Sequence, residues 1–247
     1  MDTHVATNCL NCGEILQGKY CHSCGQKAIT HKLSAKHFLA HEVVHGIWHL
    51  DKGILFTLRG LLTKPGHFVH NYIAGKRVGH FNLGTLLVLL AGLFLYTTSG
   101  DWLNHIHFRY YDHEGDAFLQ FARGAARWLL LIIVPVMAKA SSDVFQRLQY
   151  NYTEHLVMNG FFFSGMLCIM LLFNLLYWLM PDAGHLFAVE AIAMVAYVAI
   201  AYRQATTTFY SRKAFSGRIL LFLLAVPFYL AGVYFALIAV YYSVVGG

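Results

Sequence analysis

The sequence predicts an all-α integral membrane protein: a five-span helical bundle preceded by a small cytoplasmic four-cysteine zinc ribbon and by amphipathic juxtamembrane helices. Three observations carry this. Of 247 residues, 57% are hydrophobic and only 12% charged, which is too apolar for an ordinary water-soluble domain. Uncharged apolar runs recur after residue 80 at close to the ~20 residues a helix needs to cross the hydrocarbon core. Four of the five cysteines fall between residues 9 and 24.

The first element, residues 1–30, is built on "CLNCGEILQGKYCHSCG". Cys9, Cys12, Cys21 and Cys24 form two C-x-x-C pairs, each followed by a glycine, Gly13 and Gly25. A C-x-x-C turn brings two thiolates to one side, and the glycine supplies the positive φ of the tight turn. Two such knuckles predict a tetrahedral zinc ribbon in which zinc is structural. Four thiolates leave no open coordination position for water or substrate. A ribbon this short has no core of its own, so the metal supplies its folding energy.

Residues 31–80 read as amphipathic helices. Ser34 is an N-cap, and Leu39, Ala40, Val43, Val44, Ile47 and Leu50 share one face of a helix ending at Asp51-Lys52-Gly53. His37, His41, His45 and His49 run along the other face. "HEVVH" within it carries the His-Glu-x-x-His pattern of zinc metalloproteases: His41 and His45 as ligands, Glu42 as general base. A third ligand would be His49 or Asp51, which lies six residues after His45. Trp48, however, stands where a glycine would turn the chain back toward the metal. A straight helix with a 5.4 Å pitch does not wrap His41, His45 and His49 around one tetrahedral ion. The expectation is therefore a polar helix face, with a second metal site at His41, His45, His49 and Asp51 as the alternative. The following segment, "GILFTLRGLLTKPGHFVHNYIAGKR", predicts a second amphipathic helix. It stops at Lys64-Pro65 and leads by a short helix into the first span.

Residues 81–247 hold the spans, expected near 83–99, 124–142, 156–180, 186–202 and 219–245. The second is the least apolar and contains Pro135; the last contains Pro227. Of the 18 Lys and Arg, nine precede Leu83, and Lys139, Arg147, Arg203, Arg212, Lys213 and Arg218 fall in two later connections. The loop after the first span is acidic, with Asp101, Asp112, Glu114 and Asp116. The positive-inside rule then predicts a cytoplasmic N-terminus, an acidic loop outside and a C-terminus outside. The first 80 residues do not read as a cleavable signal. The charge of +6 is what inside-facing loops require, so no nucleic acid is expected as partner.

Polar groups in the spans are few. Glu190 is the carboxylate within a span, near its outer end. Asn174 is expected to donate an interhelical hydrogen bond. Glu154 and His155, at the cytoplasmic interface, either cap the third span or bind a metal, and capping is favoured. His105, His107 and His113 lie among the acids of the first loop, read as solvated. Cys168 reads as a packed side chain.

"NCGEILQGKYCHSCGQ", "HLDKGILFTLRGLLTKPG", "NYIAGKR" before the first span and "TEHLV" at the third resemble an uncharacterised family of bacterial membrane proteins with an N-terminal zinc ribbon. The resemblance implies an inner-membrane location and the ribbon; it supplies no activity. Asn82-Leu83 stands where that family is expected to place a proline. A non-enzymatic adaptor or assembly factor, docking a protein partner or a second copy through its ribbon, is the expected function. A membrane-bound metalloenzyme centred on His41, Glu42 and His45 is the alternative, and a small-solute transporter using Glu190 the third.

Overall fold

A computed structural model describes residues 8–28, 53–98, 117–180 and 185–245. Among them are seven α-helices, here α1 (Gly53–Thr63), α2 (Pro65–Ile73), α3 (Leu83–Thr98), α4 (Ala117–Val144), α5 (Tyr152–Leu179), α6 (Leu186–Thr206) and α7 (Arg212–Val245). A 3-10 turn, Gln146–Leu148, lies between α4 and α5. No β-strand occurs among the described residues; two isolated bridges, Asn8 with Ile15 and Tyr20 with Lys27, mark the cysteine module. The histidine-bearing helix expected over residues 34–50, with His41, Glu42, His45, His49 and Asp51, lies outside the described residues. So do His105, His107 and His113.

The helix boundaries follow local chemistry. Between α1 and α2 the chain breaks at Lys64, and Pro65 opens α2, where its missing N–H goes unneeded. Asn82 caps α3: its Oδ1 accepts the Thr85 backbone N–H at 2.9 Å. An asparagine cap thus does at this entry what the expected proline would have done by fixing φ. α5 opens on a reciprocal capping box. Asn151 Oδ1 accepts the Glu154 N–H at 2.9 Å, and Glu154 Oε2 accepts the Asn151 N–H at 2.8 Å.

α5, α6 and α7 are long and apolar enough to cross a membrane. α3 is apolar but 16 residues long, which is about 24 Å of helix against a hydrocarbon core of ~30 Å. The apolar stretch of α5 is 61% buried, while those of α6 and α7 are only 22% and 6% buried. Side chains such as Ile192, Val195, Leu220, Leu224 and Phe228 are therefore exposed. Apolar surface on that scale fits a hydrocarbon solvent, not water.

The chain forms two compact units, Met1–Tyr110 with Gly160–Ala205, and Tyr111–Asn159 with Thr206–Gly247. In the first, α1 and α2 fold back on each other as a short hairpin. Phe68 and Tyr72 of α2 meet the Phe161 ring of α5 edge-on, with centroids at 5.6 and 4.9 Å. Gly66 allows α2 to approach α6: its N–H donates to Gln204 Oε1 at 3.1 Å. A Cβ there would overlap the Ala201 carbonyl and the Ala205 nitrogen. Thr57 Oγ1 of α1 accepts the Phe81 N–H at 2.8 Å, fixing the approach to α3. In the second unit α4 runs against α7, and Phe145 packs edge-on to Tyr210.

Candidate metal centre

The two knuckles are built as a repeat. In the first, the Gly13 N–H donates to the Cys9 carbonyl at 2.8 Å and the Cys9 N–H to the Glu14 carbonyl at 2.8 Å. In the second, the Gly25 N–H donates to the Cys21 carbonyl at 2.9 Å and the Cys21 N–H to the Gln26 carbonyl at 2.8 Å. Gly13 and Gly25 take φ of +81° and +76°, a conformation that side-chain-bearing residues rarely adopt. The leading cysteine of each knuckle, Cys9 and Cys21, is buried; Cys12 is exposed and Cys24 half-buried.

The repeat brings the four sulfurs together, all within 4.8 Å of one another. The close pairs cross between knuckles: Cys9 Sγ to Cys24 Sγ and Cys12 Sγ to Cys21 Sγ, both 3.5 Å. A tetrahedral divalent ion with metal–sulfur bonds of ~2.3 Å needs sulfurs ~3.8 Å apart. The two close pairs would open by a few tenths of an ångström around such an ion, and the wider separations, up to 4.8 Å, would close by up to about 1 Å. The backbone N–H of Cys12 stabilises the Cys9 thiolate, and this thiol is pulled down to about 7. Cys12 gains a backbone hydrogen bond at Glu14, but lost hydration and the neighbouring sulfurs push its thiol up to about 12. The thiols thus share protons that a cation would displace.

The second knuckle is seated on the turn that follows α2. Gln26, only 7% exposed, donates from Nε2 to the Gly75 carbonyl at 2.9 Å and accepts the Arg77 N–H at Oε1 at 3.1 Å. Leu10 of the first knuckle lies against Gly75. The Arg77 guanidinium rests over the Tyr72 ring at 5.3 Å. "NYIAGKR" thus has a physical role as the receiving surface for the cysteine module. His80, four residues beyond Lys76, stacks on Phe68 with centroids 4.3 Å apart. Burial holds its imidazole below the ordinary histidine range, hence neutral.

Asn174 Nδ2 donates to Thr97 Oγ1 at 3.2 Å, between α5 and α3. Glu190 of α6 accepts from the Tyr177 hydroxyl at 3.0 Å. Cys168 is half-buried in α5. Glu154 and His155 do not converge on one point: Glu154 caps α5, whereas His155 Nδ1 lies 2.9 Å from Ser141 Oγ. Asn159 Nδ2 donates to that same Ser141 Oγ at 2.8 Å. This buried Ser141–His155–Asn159 network ties α4 to α5. A second cluster, Arg147 and Arg218 over Tyr210, has no counterpart in the sequence reading either.

Residues 51–95 match the model of a family described as Protein of unknown function (DUF3667). The match spans α1, α2, the turn that seats Gln26 and most of α3; it does not reach the cysteines. No curated protein and no solved structure matches the chain.

Proposed function

We propose that the chain is a multi-pass protein of a bacterial inner membrane. Its five spans are α3 to α7, and its N-terminus and zinc ribbon are cytoplasmic. It acts as a non-enzymatic adaptor or assembly factor. The ribbon is the docking element, and zinc in the Cys9–Cys12–Cys21–Cys24 site is structural. The observation that supports this is the two-sidedness of the cysteine module. One side is anchored through Gln26 to the Gly75–Arg77 turn, while Ile15 and Tyr20 stand 63% and 58% exposed. A closed four-thiol centre does no chemistry on a substrate, but it holds those two apolar side chains rigidly in solvent. An apolar anchor on a rigid support is what a protein partner, or a second copy, binds most tightly.

Two measurements test this. Metal analysis of the full chain should give one zinc, lost in Cys9→Ser/Cys12→Ser and retained in His41→Ala/His45→Ala. A second metal that depends on His41 and His45 would instead support the metalloenzyme built on "HEVVH". A partner crosslinked to the intact chain should be lost in Ile15→Asp/Tyr20→Asp while zinc content stays at one. A partner that survives those substitutions would sink the ribbon as docking element.

A further inference from the structure

The second unit carries a concentration of positive charge that no described carboxylate neutralises. Arg147 follows the end of α4 in the 3-10 turn. Arg212 and Lys213 open α7, and Arg218 lies less than two turns further along it. Among the described residues none of the four meets a carboxylate; the ion pair present there joins Lys139 to Asp143 at 2.6 Å. Like charges disperse unless something holds them together, and here Tyr210 does so. Its buried ring carries the Arg147 guanidinium at 5.4 Å and the Arg218 guanidinium at 4.7 Å. Its hydroxyl accepts the Arg147 backbone N–H at 3.0 Å. Arg218 also donates to the Val144 carbonyl, at the C-terminal end of α4, where a cation is favoured. One guanidinium is thus fixed by backbone and ring. The other lies on the same ring, and Arg147 is exposed.

We infer that Arg147 and Arg218, held on the Tyr210 ring, together with Arg212 and Lys213 at the start of α7, bind the phosphate headgroup of an anionic phospholipid. The inference rests on the membrane reading above. Guanidinium forks match phosphate oxygens two at a time. The position argues for a lipid over a soluble phosphate. The cluster sits where α7 begins, and the helix then exposes Leu220, Leu221, Leu224 and Phe228 along the same stretch of chain. A headgroup held at Arg147 and Arg218 would lay its acyl chains along that apolar surface, a contact inorganic phosphate lacks.

The test uses the full chain, extracted in detergent and titrated with phosphatidylglycerol or phosphatidylcholine of identical acyl chains, with bound lipid counted by native mass spectrometry. Phosphatidylglycerol is expected to bind more tightly. Each removed cation should weaken it by about fivefold, so Arg147→Gln/Lys213→Gln loses about 25-fold while phosphatidylcholine is unaffected. Both side chains are exposed, and Arg147→Gln keeps the backbone N–H that the Tyr210 hydroxyl accepts. Lys64→Gln, an exposed cation of the other unit, should change nothing. The inference is overturned by equal affinity for the two lipids. It is equally overturned by an unaltered double variant, or by a loss in Lys64→Gln as large as in that variant. Displacement of phosphatidylglycerol by equimolar inorganic phosphate would make the site a reader of phosphate alone and overturn the lipid assignment. A chain recovered without detergent would remove the membrane reading itself. A detergent-extracted chain without headgroup preference would remove only the lipid site.

Discussion

Replacing Gln26 by Ala removes the side chain that seats the cysteine module on the rest of its unit. Two neutral hydrogen bonds are lost, the Nε2–Gly75 bond at 2.9 Å and the Oε1–Arg77 bond at 3.1 Å. Each is worth ~1 kcal/mol net, and the stranded Gly75 carbonyl, which is buried, adds up to ~1 kcal/mol more. The sum of about 2–3 kcal/mol corresponds to a roughly 30- to 150-fold loss in the ratio of seated to unseated module. Hydrogen–deuterium exchange reads this directly, because the Arg77 amide is protected by the Gln26 oxygen. Exchange in peptides covering residues 74–78 should accelerate by that factor. Zinc content should stay unchanged, since Gln26 uses its side chain for docking and its backbone for the knuckle. Gln26→Glu sharpens the experiment. It keeps the size of the side chain and its acceptor for Arg77, but turns oxygen lone pairs toward the Gly75 carbonyl. If shape complementarity alone seated the module, Gln26→Glu would exchange like the wild type; that outcome, or unchanged exchange in Gln26→Ala, would refute the reasoning.

Two further outcomes follow from close approach and open space at glycines. Gly66→Ala places a methyl group against the Ala201 and Ala205 backbone and should lower stability in detergent by about 1–3 kcal/mol or more. Gly217→Ala, with no atom within 4 Å of its Cβ, should raise stability by about 0.5–1 kcal/mol in the same thermal unfolding assay. Metal binding should strengthen with pH. Cys12, pushed up to about 12, stays protonated through neutral pH and must release its proton to bind, so the apparent Kd should fall at least ~10-fold per pH unit between pH ~7 and ~9. A pH-independent competition titration against a chelator would contradict the displaced proton.

What the sequence discloses follows the range of the interactions involved. The cysteine knuckles, the break at Lys64-Pro65 and the start of α3 at Leu83 depend on neighbours a few residues away, so spacing and residue type reveal them. The long apolar helices are legible because the hydrocarbon core sets a length. The polar role of Asn174 is legible because an amide among apolar side chains has few alternatives to a neighbouring helix. Gln26 is different. Its two bonds reach 49 and 51 residues along the chain, and a glutamine after a glycine carries no periodic or motif signal. Ser141, His155 and Asn159 are opaque for the same reason. Serine and asparagine in apolar helices read as isolated polar residues until α4 and α5 bring them within 2.9 Å. Arg147, Arg212, Lys213 and Arg218 count in the sequence only as topology charges. Arg147 and Arg218 converge on Tyr210, whose ring in the sequence is one aromatic among many.

The knuckle repeat leaves the module with two nearly interchangeable ends. Turned half a revolution, it would offer the Gly75–Arg77 turn Glu14 where Gln26 now stands. A carboxylate there can take the Arg77 N–H but has no hydrogen to give the Gly75 carbonyl, and it would have to surrender its hydration as well. An exchange of oxygen for NH2 between equivalent positions therefore helps to tell one end from the other, alongside Leu10, which lies against Gly75 where its counterpart is His22.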